Sequence, residues 1–492
     1  MLDLIPDMAM KRAEISPDAA AFIEGGKRWS FAEVNAAANR IAGGLTDSGL
    51  GEGDRLAVLS LNRVEFFLTL FACQKTGIIL APLNWRHPAA ELIETLSTVG
   101  ARALIHDEAH TEAGRAVAKA LDLTLLSMDG PVTEWASTPA PDRADPVSAT
   151  RPWYLLFTSG TTGRPKAVIQ TARMAWANAV NIGQAIDLVS TDRSVNFLPL
   201  FHTAGINLYT LPVFLAGGCS TILPKFDADT LLSLIRGGGV TQFFGVPAIY
   251  QAFSLHDDVD RVDWSTLRCG CGGAPLPEPL IRFFAERGAQ VLNGMGMTET
   301  GPTVFLMDRA RAADKIGSVG RAQVLTEVRL DGVPQGEPGE GELQFRGPNI
   351  TPGYFGNEAA TRETFTHDDW LKSGDVGRRD ADGYYFIVDR IKDMFISGGE
   401  NVYPAEVERV LCTHPAVLEA AVVGIPDSRW GEVGAAFLLP RPRQALDTGT
   451  LQGWCRERLA KYKIPARFEI VEDFPRTAAG KIRKPDLRER LR

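Results

Sequence analysis

The chain has no apolar stretch fit to cross a membrane. Its longest apolar region, 64–83, is broken by Gln74, Lys75 and Gly77, whereas a spanning helix needs about 20 predominantly apolar residues. An excess of positive charge is also missing. The 52 Lys and Arg face 60 Asp and Glu, a formal charge of −8, which argues against a nucleic-acid partner. The first residues, MLDLIPDMAMKRAEISPD, hold acids and a proline where a secretory leader needs a basic start and an apolar core. A cytoplasmic protein without integral membrane association is expected. Cysteine is sparse: six in 492 residues are scattered too widely for a disulfide framework and read as reduced thiols. Cys269 and Cys271 would share one face of a strand, but no second Cys or His pair stands near them to complete a zinc site.

What is present is an ordinary globular composition, 45% hydrophobic and 23% charged, at a length that suggests roughly three compact units. The chain is organised around FTSGTTGRPK, Phe157 to Lys166. The apolar run Trp153 to Phe157 reads as a buried strand entering this turn. Gly160 and Gly163 let backbone N–H groups approach an anion. The hydroxyls of Thr158, Ser159, Thr161 and Thr162 add donors, and Lys166 adds positive charge. A polar hairpin turn is the plain alternative, but donors this dense, closed by Pro-Lys, favour phosphate. A Walker loop is disfavoured, because Pro165 separates Gly163 from Lys166 and no Ser or Thr follows the lysine.

Elsewhere, short apolar runs alternate with helical stretches, predicting an α/β fold with a parallel sheet covered on both faces. Ser30 and Glu33 form a capping box that opens a helix. Strands are predicted at 55–60, 78–83, 103–106, 195–200, 240–247 and 268–275, with a helix at 65–75. From Gly317 to Asp389 short strands and turns, including 340–347, 353–355 and 383–388, read as a β-rich subdomain. Asp389-Arg390-Ile391-Lys392-Asp393 reads as an exposed hinge. Beyond it lies a small α+β unit, with helices at 404–412 and 451–462 and strands at 418–425, 433–439 and 468–471. From Arg456 to Arg492 the chain has 12 basic and 6 acidic residues, a patch suited to a phosphate-rich second substrate.

Several residues bear chemistry on their own account. His202 follows a strand end beside glycine. Gly270, Gly272 and Gly273 leave floor space for a flat ligand. Thr298 and Glu299 follow an apolar strand and a glycine turn. A carboxylate beside polyphosphate is repulsive unless a hard cation such as Mg²⁺ lies between, so Glu299 is a metal-ligand candidate and Thr298 a phosphate donor; a helix N-cap with its acidic first turn is the plain alternative. Asp375 could accept hydrogen bonds from ribose hydroxyls or serve only as a turn residue.

FTSGTTGRPK, FHTAG, GMTE, SGD, DRIKDMFISGGENVYP and PRTAAGK occur in the order and spacing of the adenylate-forming superfamily of acyl-CoA synthetases, nonribosomal adenylation domains and luciferases. The chain most resembles bacterial fatty-acid or aryl-acid CoA ligases. The resemblance implies a large N-terminal domain of layered sheets and helices, residues 1–390, with the β-rich subdomain at 317–389. A small mobile domain, 391–492, would follow, hinged near Lys392. It implies an acyl-adenylate made from ATP with Mg²⁺, then an acyl-CoA. The catalytic set would be Lys481, Thr298, Glu299, His202 and Lys166, with Glu299 on the metal. The nucleotide would be held by Thr158 to Gly163, Lys166, Gly273, Ala274, Pro275, Asn293, Gly294, Met295, Thr298, Asp375, Arg390 and Lys481. CoA would meet Gly398, Gly399, Glu400 and Trp430, although packing is the plainer role for that tryptophan.

Two positions depart from the family pattern. Ala167 stands where glycine is usual, and Met295 where an aromatic residue often covers adenine. The acid pocket is expected near His202, Gly205, Phe244, Val246, Gly273, Gly296, Met297 and Val304, small or apolar side chains that suit an uncharged alkyl or aryl tail. Amino-acid-activating relatives carry an aspartate where His202 stands. Two other readings stay open: an adenylating enzyme serving a carrier protein or oxygen, and a non-catalytic nucleotide-binding protein. A homodimer is also left open.

Overall fold

The computed structural model describes residues 3–137, 146–159, 165–274, 276–477 and 480–491. Two large sheets form the body. The first has six strands in the order Pro165–Thr171, Pro152–Ser159, Ile79–Pro82, Arg55–Leu59, Ala103–His106 and Thr124–Ser127. The first two pair antiparallel across the phosphate loop, and the remaining contacts are parallel. The capping box is formed: Glu33 N–H donates to Ser30 Oγ at 3.2 Å and Ser30 N–H to Glu33 Oε2 at 2.7 Å, opening the helix Phe31–Asp47.

The second sheet has nine strands. Its centre runs in parallel through Val291–Gly296, Arg268–Cys271, Gln242–Gly245, Arg193–Asn196, Cys219–Ile222 and Ala20–Glu24. The strand at Ala20–Glu24 comes from the N-terminal segment and joins this sheet rather than the six-stranded one. Parallel strands put all their C-terminal ends on one edge, where open α/β sheets bind ligands. The loops after Asn196, Gly245, Cys271 and Gly296 therefore gather His202, Val246, Gly273 and Glu299 at that edge. The predicted strand 195–200 stops at Asn196, whose amide Nδ2 donates to the Gly205 carbonyl at 2.6 Å.

A four-stranded antiparallel sheet follows, Glu327–Leu330, Gly339–Arg346, Leu371–Arg379 and Tyr385–Arg390. The segment 353–355 is not one of its strands. It lies against Pro165–Thr171, with a bridge between Val168 and Tyr354 and the Phe355 N–H donating to the Ala167 carbonyl at 2.8 Å. The small C-terminal unit is a five-stranded sheet built on Val417–Asp427 and Gly431–Pro440, with helices Pro404–Cys412, Thr448–Arg456 and Lys484–Glu489. The predicted helix 451–462 ends at Arg456, and a 3₁₀ turn occupies Lys461–Lys463. Pro465 disfavours helical geometry at Ile464, while Leu459 and Tyr462 still reach the core of this unit. Among the described residues no helix is long and apolar enough to cross a membrane.

Candidate active site

On the phosphate side, Lys166 and Thr158 are direct cross-strand partners at the mouth of the loop. Gly160, Thr161, Thr162 and Gly163 lie outside the described residues, as does Pro275. Ser159 ends the incoming strand. Thr298 and Glu299 form a 3₁₀ turn after the strand Val291–Gly296, and the Gln170 amide donates to the Thr298 carbonyl at 2.9 Å. Glu299 is buried. Its Oε1 accepts a hydrogen bond from the Tyr354 hydroxyl at 2.9 Å, and the ring of the same tyrosine lies 4.9 Å from Lys166 Nζ. No local sequence signal points to Gln170 or Tyr354. The Gly-Tyr-Phe strand signal is visible in the sequence, but its partner strand is not.

Asp375 and Arg390 face each other across the antiparallel ladder, paired at 2.9 Å. Burial raises the Asp375 carboxyl above the usual carboxylate range, opposed by Arg390 and Lys481. Lys481 extends from the small unit into the cleft of the large one. Its surface is open to the cleft, yet protein surrounds it closely enough that desolvation, with Arg390 nearby, pulls its ammonium below the ordinary lysine range. Asp375 and Glu299 act in the opposite direction. Asp375, Arg390 and Glu299 thus all lie within electrostatic reach of Lys481. Lys392 is exposed beside them.

On the acid side, burial pushes the His202 imidazole down to about 4, helped by the positive charges of Lys481 and Arg86 and by His87. His202 is therefore neutral at pH 7, and its buried Nε2 has no hydrogen-bond partner among the described residues. Phe244 is buried and packs edge-on against Tyr209, with ring centroids 5.5 Å apart. Val246 faces both Gly273 and Gly480: a Cβ on either glycine would sit 3.5 and 3.8 Å from its methyls. Gly273 and Ala274 are exposed at the rim, and Gly294, Met295 and Met297 are half-buried. The Asn293 Oδ1 is buried and without a partner among the described residues.

Three expected pocket residues have another role. Val304 is fully buried in the core of the β-rich region and presents nothing to the cleft. Gly205 and Gly296 are packing glycines, because a Cβ would run into the Pro199 and Pro302 carbonyl oxygens respectively. The CoA candidates Gly398, Gly399 and Glu400 lie on an exposed hairpin turn of the small unit. There Trp430 covers Gly398 so closely that a Cβ on that glycine would lie 2.6 Å from the indole ring.

A buried carboxylate that keeps one oxygen bonded to a phenol and leaves the other open is a fit for Mg²⁺. That ion commonly takes one or two protein carboxylates and completes its shell with phosphate oxygens and water. Glu299 supplies one such oxygen, Oε2. Among the described residues no group of three or more His, Cys, Asp or Glu could hold a metal, so the substrate would have to supply most of the ligands.

Residues 10–355 match the AMP-binding enzyme family, and 406–481 match the AMP-binding enzyme C-terminal domain. The chain belongs to the AMP-binding enzyme family. It is 42% identical over 488 residues to a feruloyl-CoA synthase of Amycolatopsis sp, covering 98% of both chains. It is 36% identical over 504 residues to the long-chain-fatty-acid–CoA ligase FadD13 of Mycobacterium tuberculosis, covering 98% of this chain and 97% of the relative. The o-succinylbenzoate CoA synthetase MenE of Bacillus subtilis, solved with its acyl-adenylate intermediate, superposes with a TM-score of 0.88 at 32% identity, covering 100% and 99% of the two chains. The same synthetase has been solved with ATP and a magnesium ion. As a member of this family the protein is an acid–thiol ligase that forms acyl-CoA, AMP and diphosphate from a fatty or aryl acid.

Proposed function

We propose that this enzyme is a cytoplasmic ligase for an aromatic carboxylic acid. The observation that supports this reading is the pair of aromatic rings, Tyr209 and Phe244, packed at the strand end that leads to Val246, which itself faces Gly273 and Gly480. The space over Gly270 and Gly272 is taken by these rings: a Cβ on Gly270 would lie 2.6 Å from the Tyr209 hydroxyl, and one on Gly272 3.1 Å from the Phe244 ring. An aromatic end wall suits a flat acid better than a long alkyl chain, in keeping with the similarity to feruloyl-CoA synthase.

In the first half-reaction an acid oxygen attacks the α-phosphorus of ATP, and diphosphate leaves. Two anions must meet, so positive charge has to be in place where negative charge collects. Lys481 bridges the acid and the α-phosphate. Lys166 and the loop hydroxyls hold the β- and γ-phosphates, Thr298 donates to phosphate, and Asp375, set by Arg390, accepts the ribose hydroxyls. Mg²⁺ on Glu299 would supply charge neutralisation at the triphosphate. Neutral His202 offers its unpartnered Nε2 at the junction of the acid and phosphate sides. For the second half-reaction the small domain turns about Lys392, withdrawing Lys481 and bringing Gly398, Gly399, Glu400 and Trp430 to the incoming thiol. The thiol attacks the acyl carbon and AMP leaves.

Diphosphate and AMP release, measured over a panel of aryl and alkyl acids with and without CoA, tests the assignment. Aryl acids are expected to give AMP and thioester only when CoA is present. Diphosphate without thioester for every acid would point to a carrier protein or another acceptor, and preference for long alkyl acids would refute the aryl reading.

A further inference from the structure

The segment 351–355 is stitched to both halves of the phosphate site. Thr351 N–H donates to the Glu299 carbonyl at 2.8 Å, and its hydroxyl donates to the Ile169 carbonyl at 2.7 Å. Ile169 N–H donates to the Gly353 carbonyl at 3.1 Å, and Phe355 N–H to Ala167. Gly353 has φ +138°, and a Cβ there would collide with the Thr361 side chain, so only glycine lets the chain pass this close. The register leaves Tyr354 opposite Val168, two residues from Lys166. Its hydroxyl donates to Glu299 Oε1. Its ring lies beneath the Lys166 ammonium.

We infer that Tyr354 is a positioning residue for the metal–nucleotide, fixing the Glu299 carboxylate with its hydroxyl and seating Lys166 on its ring. The inference rests on the role given above to Glu299. A carboxylate free to rotate about its terminal torsion presents either oxygen. One held through Oε1 presents Oε2, and hydrogen-bond partners behind a ligand commonly change metal affinity by about 10–100-fold. The face of the ring attracts an ammonium while leaving its N–H donors free to meet an anion.

Tyr354→Phe separates the two roles, because it removes the hydroxyl and keeps the ring. ATP binding is followed calorimetrically with the full chain, once with Mg²⁺ and once with EDTA, beside thermal unfolding. Affinity with Mg²⁺ is expected to fall about 10-fold while affinity with EDTA is unchanged. Tyr354→Leu should weaken both, because the ring is lost too. Equal loss with and without the metal in Tyr354→Phe, or wild-type affinity in both, would overturn the inference. A wild-type enzyme whose ATP affinity ignores Mg²⁺ would instead refute the metal role of Glu299 and, with it, the purpose assigned to the tyrosine hydroxyl.

Discussion

The two walls of the cleft solve opposite problems. On the phosphate wall three charged groups have partners: Asp375 pairs with Arg390 at 2.9 Å, Glu299 accepts from the Tyr354 hydroxyl at 2.9 Å, and Lys166 lies against the Tyr354 ring. On the acid wall His202 is stripped of charge by burial, and its Nε2 is left without a partner among the described residues. One wall is built of paired charge; the other carries a neutral imidazole packed beside the Phe201 ring. Lys481 comes from a different unit of the chain and joins the two. It lowers the His202 imidazole and opposes the raised pKa of Asp375.

Removing that link should have the largest effect. Lys481→Ala is expected to slow adenylation by about two to three orders of magnitude, the range for a single transition-state donor. Thioester formation from a supplied acyl-adenylate should stay within a few-fold of wild type, because no phosphate is attacked in that step. Rapid-quench measurement of the two half-reactions decides it. Equal losses in both would mean that Lys481 holds the domains together rather than serving the chemistry.

The neutrality of the acid wall can be broken with acid. An imidazole that titrates near 6.5 when unfolded and at about 4 when folded lets the unfolded chain bind the extra proton between those values. Wild-type stability should therefore be undiminished by this group above pH 6.5 and fall as the pH drops toward 4, by at most about 3 kcal/mol. His202→Asn should remove that part of the slope. Urea unfolding of both proteins at pH 7 and pH 4.5 tests this, and identical slopes would show that His202 is not held neutral.

Asp375→Ala probes the charged wall more gently. Loss of a charged hydrogen-bond acceptor costs about 1.5–3 kcal/mol, so the KM for ATP should rise by about 10- to 100-fold with little change in the KM for the acid. A rise in the acid's KM alone would place Asp375 on the wrong wall.

These walls were unequally legible in the sequence. The phosphate wall is built from contiguous motifs, so Lys166, Glu299 and Asp375 could be named from spacing and charge. Tyr354 could not, because its role depends on a bridge to Val168, 186 positions away in sequence, which no local pattern encodes. The acid wall depends on which side of each backbone is filled. Val304 looks like a pocket valine in sequence, but its strand turns it into the core. Gly205 and Gly296 look like floor and are instead close contacts with carbonyl oxygens. Apolar runs such as 55–60 and 103–106 announced their strands, whereas Ala20–Glu24 and Cys219–Ile222 carried no such signal, and strand ends such as Asn196 were set by a side chain donating to a residue further along.

The smallest effect concerns Ala167, which stands where glycine is usual beside Lys166. If the phosphate wall needed glycine there for a close backbone approach, the methyl would hinder nucleotide binding, and Ala167→Gly would improve it. The structure gives the methyl another place: Ala167 is buried in the core cluster with Leu155 and Leu59, away from the cleft, while its carbonyl accepts the Phe355 N–H at 2.8 Å and so helps fix Tyr354. Ala167→Gly removes a buried methyl, about 0.8 kcal/mol of burial, and adds backbone freedom within a strand, roughly 0.5–1 kcal/mol. The expected outcome is a protein destabilised by about 1–2 kcal/mol with its ATP affinity within two-fold of wild type. A substantial gain in ATP affinity at unchanged stability would show instead that the methyl intrudes on the phosphate wall, and the separation between core and cleft at this strand would have to be redrawn.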